Sequence, residues 1–513
     1  MRLEGIYLKV LLDLYLIFFK LGIVNFGGGY AMLPVLNREL VLKRGWTTDE
    51  ELADYYAVGQ CTPGAIAVNV STFIGIKKKG VLGGIIATLG FVSPAFIIIF
   101  IIASLLTNFA SNIYVMNALA GIRVCVFFLV LSAIVKLFKK SITDKFGLFF
   151  AIFVAIMAIF VSVIPLYVYV ILAGLLGLGI NYFKEKRNNK IICNNEEKEE
   201  TKEFIENSNN EIEKKKFNFK PIGFAVLGFF SGLIFGILGA ISTIFIKNKT
   251  YKNGVFSSII LWFISLFGII VLAIYNSPIV FTVYFQFFKV GICAFGGGLA
   301  TIPFLSELGQ TTGWFSELDL ANMIAVSEST PGAMGVNMST YVGYTVLDNF
   351  FDNYLISFFG SMISTLGLVT PSIIVISIVA VFLNKFKDNK YVEWIFYGLR
   401  IASIGLIIAA LYSIMKVSLF NQYIHIIDNK SVSLNTLSYS WNEAFKGINT
   451  SNFFSSIIPS IANFFNYLFN WKAVGIGLLF GIGIFKFKKH PILYIVVAAL
   501  VGIVFQMYDV ITI

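Results

Sequence analysis

The sequence predicts an all-α fold: a polytopic transmembrane helical bundle of two inverted-topology repeats with interrupted, re-entrant helices. Three observations predict it. First, apolar residues make up 57% of the 513 positions and charged residues 13%, about half the ~25% charge of a soluble domain. Mean hydropathy is +0.82. A water-soluble globule of this size has no room to bury that much apolar surface, so the solvent is lipid. Second, long uncharged runs alternate with short basic clusters. Third, the chain repeats itself.

The elements follow in order. The N-terminal run, MRLEGIYLKVLLDLYLIFFK, carries Asp13 and Lys20 and lacks a small-residue cleavage site. It reads as a retained first helix, not a signal peptide. Residues 80–122 are uncharged. So are residues 146–183, where Pro165 breaks a run that would otherwise be ~57 Å long and folds it into two short spans. Residues 184–220 hold ten Lys or Arg and nine Glu, a composition that cannot build a core and reads as a disordered cytoplasmic linker. Uncharged runs return at 221–246, 253–288 and 353–384, and the last clear span covers 491–508. About twelve full spans are expected in all, plus interrupted or re-entrant segments at 26–76 and 295–344. The predicted organisation is a first repeat at 1–182, the polar linker at 183–220, a connecting transmembrane hairpin at 221–277 and a second repeat at 278–513.

The repeat is specific. FFKLGIVNFGGGYAMLP (18–34) recurs as FFKVGICAFGGGLATIP (287–303), and TPGAIAVNVSTFIG (62–75) as TPGAMGVNMSTYVG (330–343), identical at nine of fourteen positions. Glu39, Gly45 and Trp46 match Glu307, Gly313 and Trp314, the two Trp being expected at the membrane interface. Ser93-Pro94 matches Thr370-Pro371, and Arg123 matches Arg400. The basic loops of the first repeat are 77–79, 139–145 and 184–190, and the place in the second repeat that matches 77–79 carries Asp348 and Asp352 and no Lys or Arg. The uncharged turns at 107–116 and Pro165 correspond to the basic 385–390 and 486–490. By the positive-inside rule the repeats are inverted; Lys247, Lys249 and Lys252 alone run against it.

Inverted repeats with broken helices are a transporter design, with the site where the repeats meet. Gly27, Gly28 and Gly29, and Gly296, Gly297 and Gly298, can unwind and bare backbone N–H groups, which is tolerable in lipid only beside a cavity. Close helix packing is the competing explanation, weakened by the second copy. Thr62-Pro63-Gly64 and Thr330-Pro331-Gly332 suit a helix start, with Thr as cap and Pro in the first turn. Asn69 and Thr72, like Asn337 and Thr340, then share a face. Neutral donors at a helix N-terminus suit an oxyanion. Lys20, Lys289, Arg123 and Arg400 lie within apolar runs, where a cation is costly and usually meets a cavity or partner; for the two Lys, snorkelling competes. Glu39, Glu307 and Glu328 are the candidates for proton coupling. Glu328 replaces Gln60 of the first repeat. Glu51, Asp54 and Asp319 stand nearby, and a solvated interfacial face is the plain alternative for every one of these carboxylates.

Other chemistries lack their residues. There are two His, His425 and His490, four scattered Cys and no Gly-Lys dipeptide, so no metal site, cofactor, disulfide framework or P-loop is expected. The net charge of +11 belongs to membrane orientation, not to nucleic acid.

These motifs resemble the chromate ion transporter family in its long-chain, two-repeat form: FGGG-x-A-x-x-P, a following GW, then a TPG segment with N-x-S-T and a closing Gly, all present twice. Ala65 and Ala333 stand where many relatives carry a second Pro. The resemblance implies a non-enzymatic secondary transporter in the cell membrane. It would move chromate, with sulfate as a similar dianion, outward on an ion gradient. Alternatives are export of another anion such as sulfate or an organic acid and, in a different class, a membrane-embedded enzyme acting on a lipid phosphate, for which no nucleophile or metal cluster is evident. The expected partners are a small inorganic oxyanion and the lipid bilayer, with a homo-oligomer left open.

Overall fold

The computed structural model describes residues 2–25, 32–109, 112–142, 144–161, 164–199, 279–381, 389–427, 430–433, 436–446, 453–487, 489–508 and 510–512. The expected hairpin at 221–277 lies outside the described residues, as does the linker beyond Glu199. Before that point the linker is not irregular: the helix that starts at Leu166 continues to Glu199.

The first repeat runs α1 (Arg2–Val24), a short α2 (Leu33–Leu36) that continues as a π-helical turn (Asn37–Leu42), α3 (Asp49–Cys61), α4 (Ile66–Phe109), α5 (Ile113–Ser141), α6 (Lys145–Phe160) and α7 (Leu166–Glu199). The second runs α8 (Ile279–Cys293), a 3₁₀ turn (Gly298–Thr301), α9 (Ile302–Thr312), α10 (Glu317–Ser329), α11 (Met334–Phe351), α12 (Tyr354–Val381) and α13 (Lys390–Leu419). After α14 (Thr436–Ala444) and α15 (Phe453–Leu468) come α16 (Trp471–Phe487) and α17 (Pro491–Val504).

α4 is a hairpin rather than one span. Lys79 and Gly80 leave helical geometry, Gly80 with φ +64° and ψ −161°. The limbs 66–78 and 81–109 fold back on each other, so that the Thr72 and Thr88 hydroxyls lie 2.6 Å apart. α11 and α12 repeat the arrangement, with Thr340 and Thr365 at 2.7 Å. Three Lys at the first tip, Lys77–Lys79, suit a turn at the membrane interface. Among the described residues the long apolar helices number fewer than the spans expected. Several apolar helices, such as Ile279–Cys293 and Pro491–Val504, are too short to cross alone, since 15 residues rise only ~22 Å against a core of ~30 Å. The late polar stretch and the C-terminus add β1 (Gln422–Ile427), β2 (Lys430–Ser433) and β3 (Val510–Thr512) in a small sheet of order β2-β1-β3. It was not expected from the sequence.

Two packed bodies result, and neither is a repeat. One combines α1, α4, α8, α11 and α12. In the other the arginine-bearing helix of each repeat packs on the terminal hairpin of the opposite one: α5 on α16 and α17, α13 on α6 and α7. Glycine permits the contact. A Cβ on Gly121 would sit 2.2 Å from the Ala498 carbonyl, and one on Gly398 1.9 Å from that of Ala173. The bodies meet chiefly through α9 and α10, which touch α5, α7, α13 and α17. α3, the counterpart of α10, packs mainly on α4 and the π-turn. The matched alanines record the difference: Ala53 and Ala57 are exposed, whereas Ala321 and Ala325 are buried.

Candidate functional site

The TPG turns cross between repeats. The Gly64 N–H donates to the Ala294 carbonyl at 2.9 Å, and the Gly332 N–H donates to the Asn25 carbonyl at 2.8 Å. Ala294 and Asn25 are equivalent, each immediately before FGGG. Pro63 also bridges Phe295 in antiparallel fashion, and the Ser372 hydroxyl donates to the Pro63 carbonyl at 3.2 Å. Both turn glycines have positive φ, +95° at Gly64 and +122° at Gly332, which side chains other than hydrogen rarely adopt.

Two helices therefore begin inside the protein. Ile66, Ala67 and Val68 open α4, and Ala333 and Val336 border the start of α11, all buried. Ala333 occupies the cap position of α11 and supplies no side-chain cap. The N–H groups of a first helical turn have no intrahelical acceptor, and the helix dipole makes that end positive. Gly296 and Gly297 are unwound, with φ +99° and +106°. A Cβ on Gly297 would touch Ile66 at 3.4 Å, and one on Gly298 would meet Met334 at 2.9 Å. The second glycine triplet thus lies between the two helix starts. Gly27, Gly28 and Gly29 lie outside the described residues.

The polar side chains of the motif have other work. Thr62 and Thr330 stand at the C-terminal ends of α3 and α10, not at the caps of the following helices. Their hydroxyls donate back to Val58 and Val326 carbonyls at 3.0 and 2.9 Å. The Asn69 amide donates to the Gly59 carbonyl, the Thr62 hydroxyl and the Pro63 carbonyl. Asn337 does the same to Ser327, Thr330 and Pro331. Each Asn closes the break by satisfying carbonyls that the ended helix leaves open. Thr72 and Thr340 bond to Val68 and Val336 carbonyls as well as to their threonine partners. These four side chains offer no free donor to a ligand.

The four cations divide. Lys20, Lys289 and Arg400 are exposed, and Lys289 lies 4.6 Å over the Tyr167 ring; the snorkelling explanation fits the two Lys. Arg123 is only 7% exposed. Its Nη1 donates to Asn322 Oδ1 on α10 at 2.8 Å, and its Nε is buried without a partner. Asn322 lies two turns before Thr330, about 12 Å along α10 at 1.5 Å per residue. Sequence reasoning missed Asn322 and Ser372. The available signal was that each differs from its counterpart, Asp54 and Ala95, in an otherwise well-matched repeat.

The carboxylates divide too. Glu39 is buried and held by Lys43 at 2.7 Å and Arg44 at 2.8 Å. These hydrogen-bonded cations lower its pKa to about 2. Glu51 is lowered similarly to about 2 by Lys77 and by the capping N–H of Thr48. The cations at 43 and 44 have no counterpart at Thr311 and Thr312, so Glu307 instead accepts the Leu166 N–H at 3.0 Å at the start of α7. Glu328, half-buried, makes no hydrogen bond or ion pair among the described residues. It lies near enough to Cys125 to act on it electrostatically.

A depressed carboxylate adds stability that is fully present above its ordinary pKa of 4.5 and is lost as pH falls from there through about 2. The two hydrogen-bonded cations thus favour the ionised form of Glu39 near neutral pH and weigh against its carrying a proton there. Glu39→Gln is expected to lower stability by roughly 1–2 kcal/mol and to leave the pH profile of activity unchanged between about pH 5 and 9. A melting curve and a pH-rate profile check both parts.

A cavity of about 190 Å³ lies at the α9–α10 turn, lined by Ser306, Gln310, Phe315 and Glu317 among others. It is remote from the glycine crossing. Glu317 is tied there to Lys416 at 3.0 Å and Gln310 at 3.0 Å. Among the described residues no group of three or more His, Cys, Asp or Glu could hold a metal.

Comparison with known proteins agrees with this architecture. The chain is 22% identical over 426 residues to the probable chromate transport protein of Synechococcus elongatus, covering 83% of this chain and 88% of that one. It is 24% identical over 401 residues to the uncharacterized transporter MJ0718 of Methanocaldococcus jannaschii, covering 78% and 83%. A chromate transport protein of Pseudomonas aeruginosa is 31% identical over 150 residues, covering 28% and 35%. No solved structure matches. The sequence profile described as Chromate transporter matches residues 12–178 and 281–503, one stretch for each copy of the broken-helix unit, so this multi-pass membrane protein belongs to the chromate transporter family.

Proposed function

We propose that the protein is a secondary active transporter that moves an inorganic oxyanion, chromate and by chemical similarity sulfate, across the cell membrane, outward and coupled to an ion gradient. One observation carries the reading: two buried helix starts, at Ile66 and Met334, meet at the unwound Gly296–Gly298 turn. Backbone N–H groups at such a junction suit a tetrahedral dianion, and the partly unsatisfied Arg123 supplies countercharge. The names of the Synechococcus and Pseudomonas relatives favour chromate. Binding thus rests on Gly27–Gly29, Gly296–Gly298, the helix starts after Gly64 and Gly332, and Arg123. Lys20, Lys289 and Arg400 serve at most as surface attraction.

Glu328 is the proton carrier of this proposal, because it is the candidate carboxylate beside a TPG turn that has no hydrogen-bond or ion-pair partner among the described residues. Alternating access is movement of the body holding α4 and α11 against the body holding α5 and α13. With the repeats interleaved, a motion of one repeat against the other would tear both bodies. The reaction needs no nucleophile, so the protein is no enzyme in this reading.

Inside-out vesicles containing the purified protein test it. Labelled chromate or sulfate should accumulate when a pH gradient is imposed. Glu328→Gln should retain chromate exchange at equal pH but lose the response to the gradient. Accumulation of neither anion, with protein verified in the bilayer, refutes the substrate.

A further inference from the structure

Arg123 and Arg400 occupy matched positions of the repeat, yet Arg123 is met by a helix of a broken-helix unit through α10, which packs on α5, whereas α3, the counterpart of α10, packs mainly on α4 and the π-turn. Asn322 faces Arg123, and the position equivalent to Asn322 in the first repeat is Asp54. Arg can only donate, so the amide oxygen must point at it. That bond aims the guanidinium without cancelling its charge. Among the described residues no carboxylate forms an ion pair with Arg123. Asp319, one turn earlier on α10, acts on it through space, but its Oδ2 is occupied by the Ser316 N–H at 2.9 Å and hydroxyl at 2.7 Å. Tyr508 is the other titratable group acting on it, and Glu328 acts electrostatically on Cys125 but forms no ion pair with Arg123 among the described residues. Ser418 donates only to the Arg123 backbone carbonyl, at 3.4 Å. A buried cation therefore keeps its charge and its Nε donor.

We infer that Asn322 is a specificity-determining positioning residue: its neutral amide orients Arg123 toward the substrate path and leaves it uncompensated, so that a dianion supplies the missing charge. This rests on the proposed oxyanion transport. A carboxylate at 322 would close Arg123 into an ion pair and set a negative charge beside the entering dianion. Aspartate stands at position 54 on a helix that does not pack against an arginine-bearing helix: α3 lies mainly on α4 and the π-turn, with Asp54 half-buried.

The experiment compares full-length wild type, Asn322→Asp, Asn322→Gln and Asn322→Leu. In detergent without oxyanion, Asn322→Asp should melt higher than wild type, because it compensates Arg123, and Asn322→Leu should melt lower. In vesicles, Asn322→Asp should raise KM for chromate by roughly 30-fold or more, the cost of juxtaposing like charges, with maximal rate within about twofold. Asn322→Gln should rescue KM toward wild type by restoring a neutral acceptor. If Asn322→Asp melts no higher than wild type, Arg123 is already compensated and the inference falls. It falls equally if KM is unchanged. Wild type that moves no chromate refutes the substrate alone, since the melting comparison stands without it.

Discussion

Gly332→Val should yield almost no folded protein. Gly332 has φ +122°, in a region open essentially to glycine and costing other residues about 1–3 kcal/mol. A Cβ there would also lie 2.5 Å from Ala95 Cβ and 2.6 Å from Asn337 Oδ1. Neither neighbour can withdraw: Ala95 is buried in the packed second limb of α4, and Asn337 is held by three acceptors. Relief requires moving the turn, which breaks the Gly332–Asn25 hydrogen bond and unseats the start of α11. Strain, clash and a lost buried bond together reach several kcal/mol, a large share of a typical stability of about 5–15 kcal/mol. Yield of monodisperse protein after extraction, with its melting temperature, is the measurement. Gly475→Ala is the control, since nothing lies within 4 Å of a Cβ there. A Gly332→Val protein that melts within a few degrees of wild type would show that the crossing is not where the fold is secured.

Arg123→Ala should abolish transport while leaving the protein in the membrane. Loss of a buried cation from α5 eases insertion of that helix. The remaining cost is the Asn322 oxygen left without a donor, about 1–3 kcal/mol, which a stable bundle survives. Transport depends on charge and fork geometry together, so Arg123→Lys should recover only a small part of the rate. A fall of about 100-fold or more is expected, the effect of removing one preorganised anion contact from a water-poor site. Arg400→Ala should cost far less. Sequence symmetry treats the two arginines alike; burial does not, since Arg400 is exposed. Chromate flux per reconstituted protein separates the two, and equal losses would remove the special standing of Arg123.

Much of the fold was legible because it depends on periodic, local signals. Lipid-length apolar runs, the Pro165 break and the basic tip at Lys77–Lys79 led to the right helices and turns. The two copies of FGGG and TPG indicated where helices stop. Less of the site could be read. Asn69 and Thr72 lie on one helical face, but spacing along a helix says nothing of what an interrupted chain folds back upon. Here Asn69 folds back onto the end of α3. Thr62 was displaced from the cap of α4 for a related reason: the extended residues of a break can belong to the helix before it. The unequal fates of Arg123 and Arg400 arise from how two bodies dock, and a repeat seen only as sequence is symmetric. The β-sheet joins residues 422–433 to the extreme C-terminus, a long-range pairing without a local pattern.

The reciprocal bonds at Gly64 and Gly332 have a consequence for biosynthesis. When the first repeat leaves the ribosome, the acceptor for Gly64 has not yet been made, and Asn25 has no donor to receive. The early helices must wait in the bilayer with a polar gap unfilled. The first seam can close only once Ala294 has been made, and the second only once Gly332 has followed it.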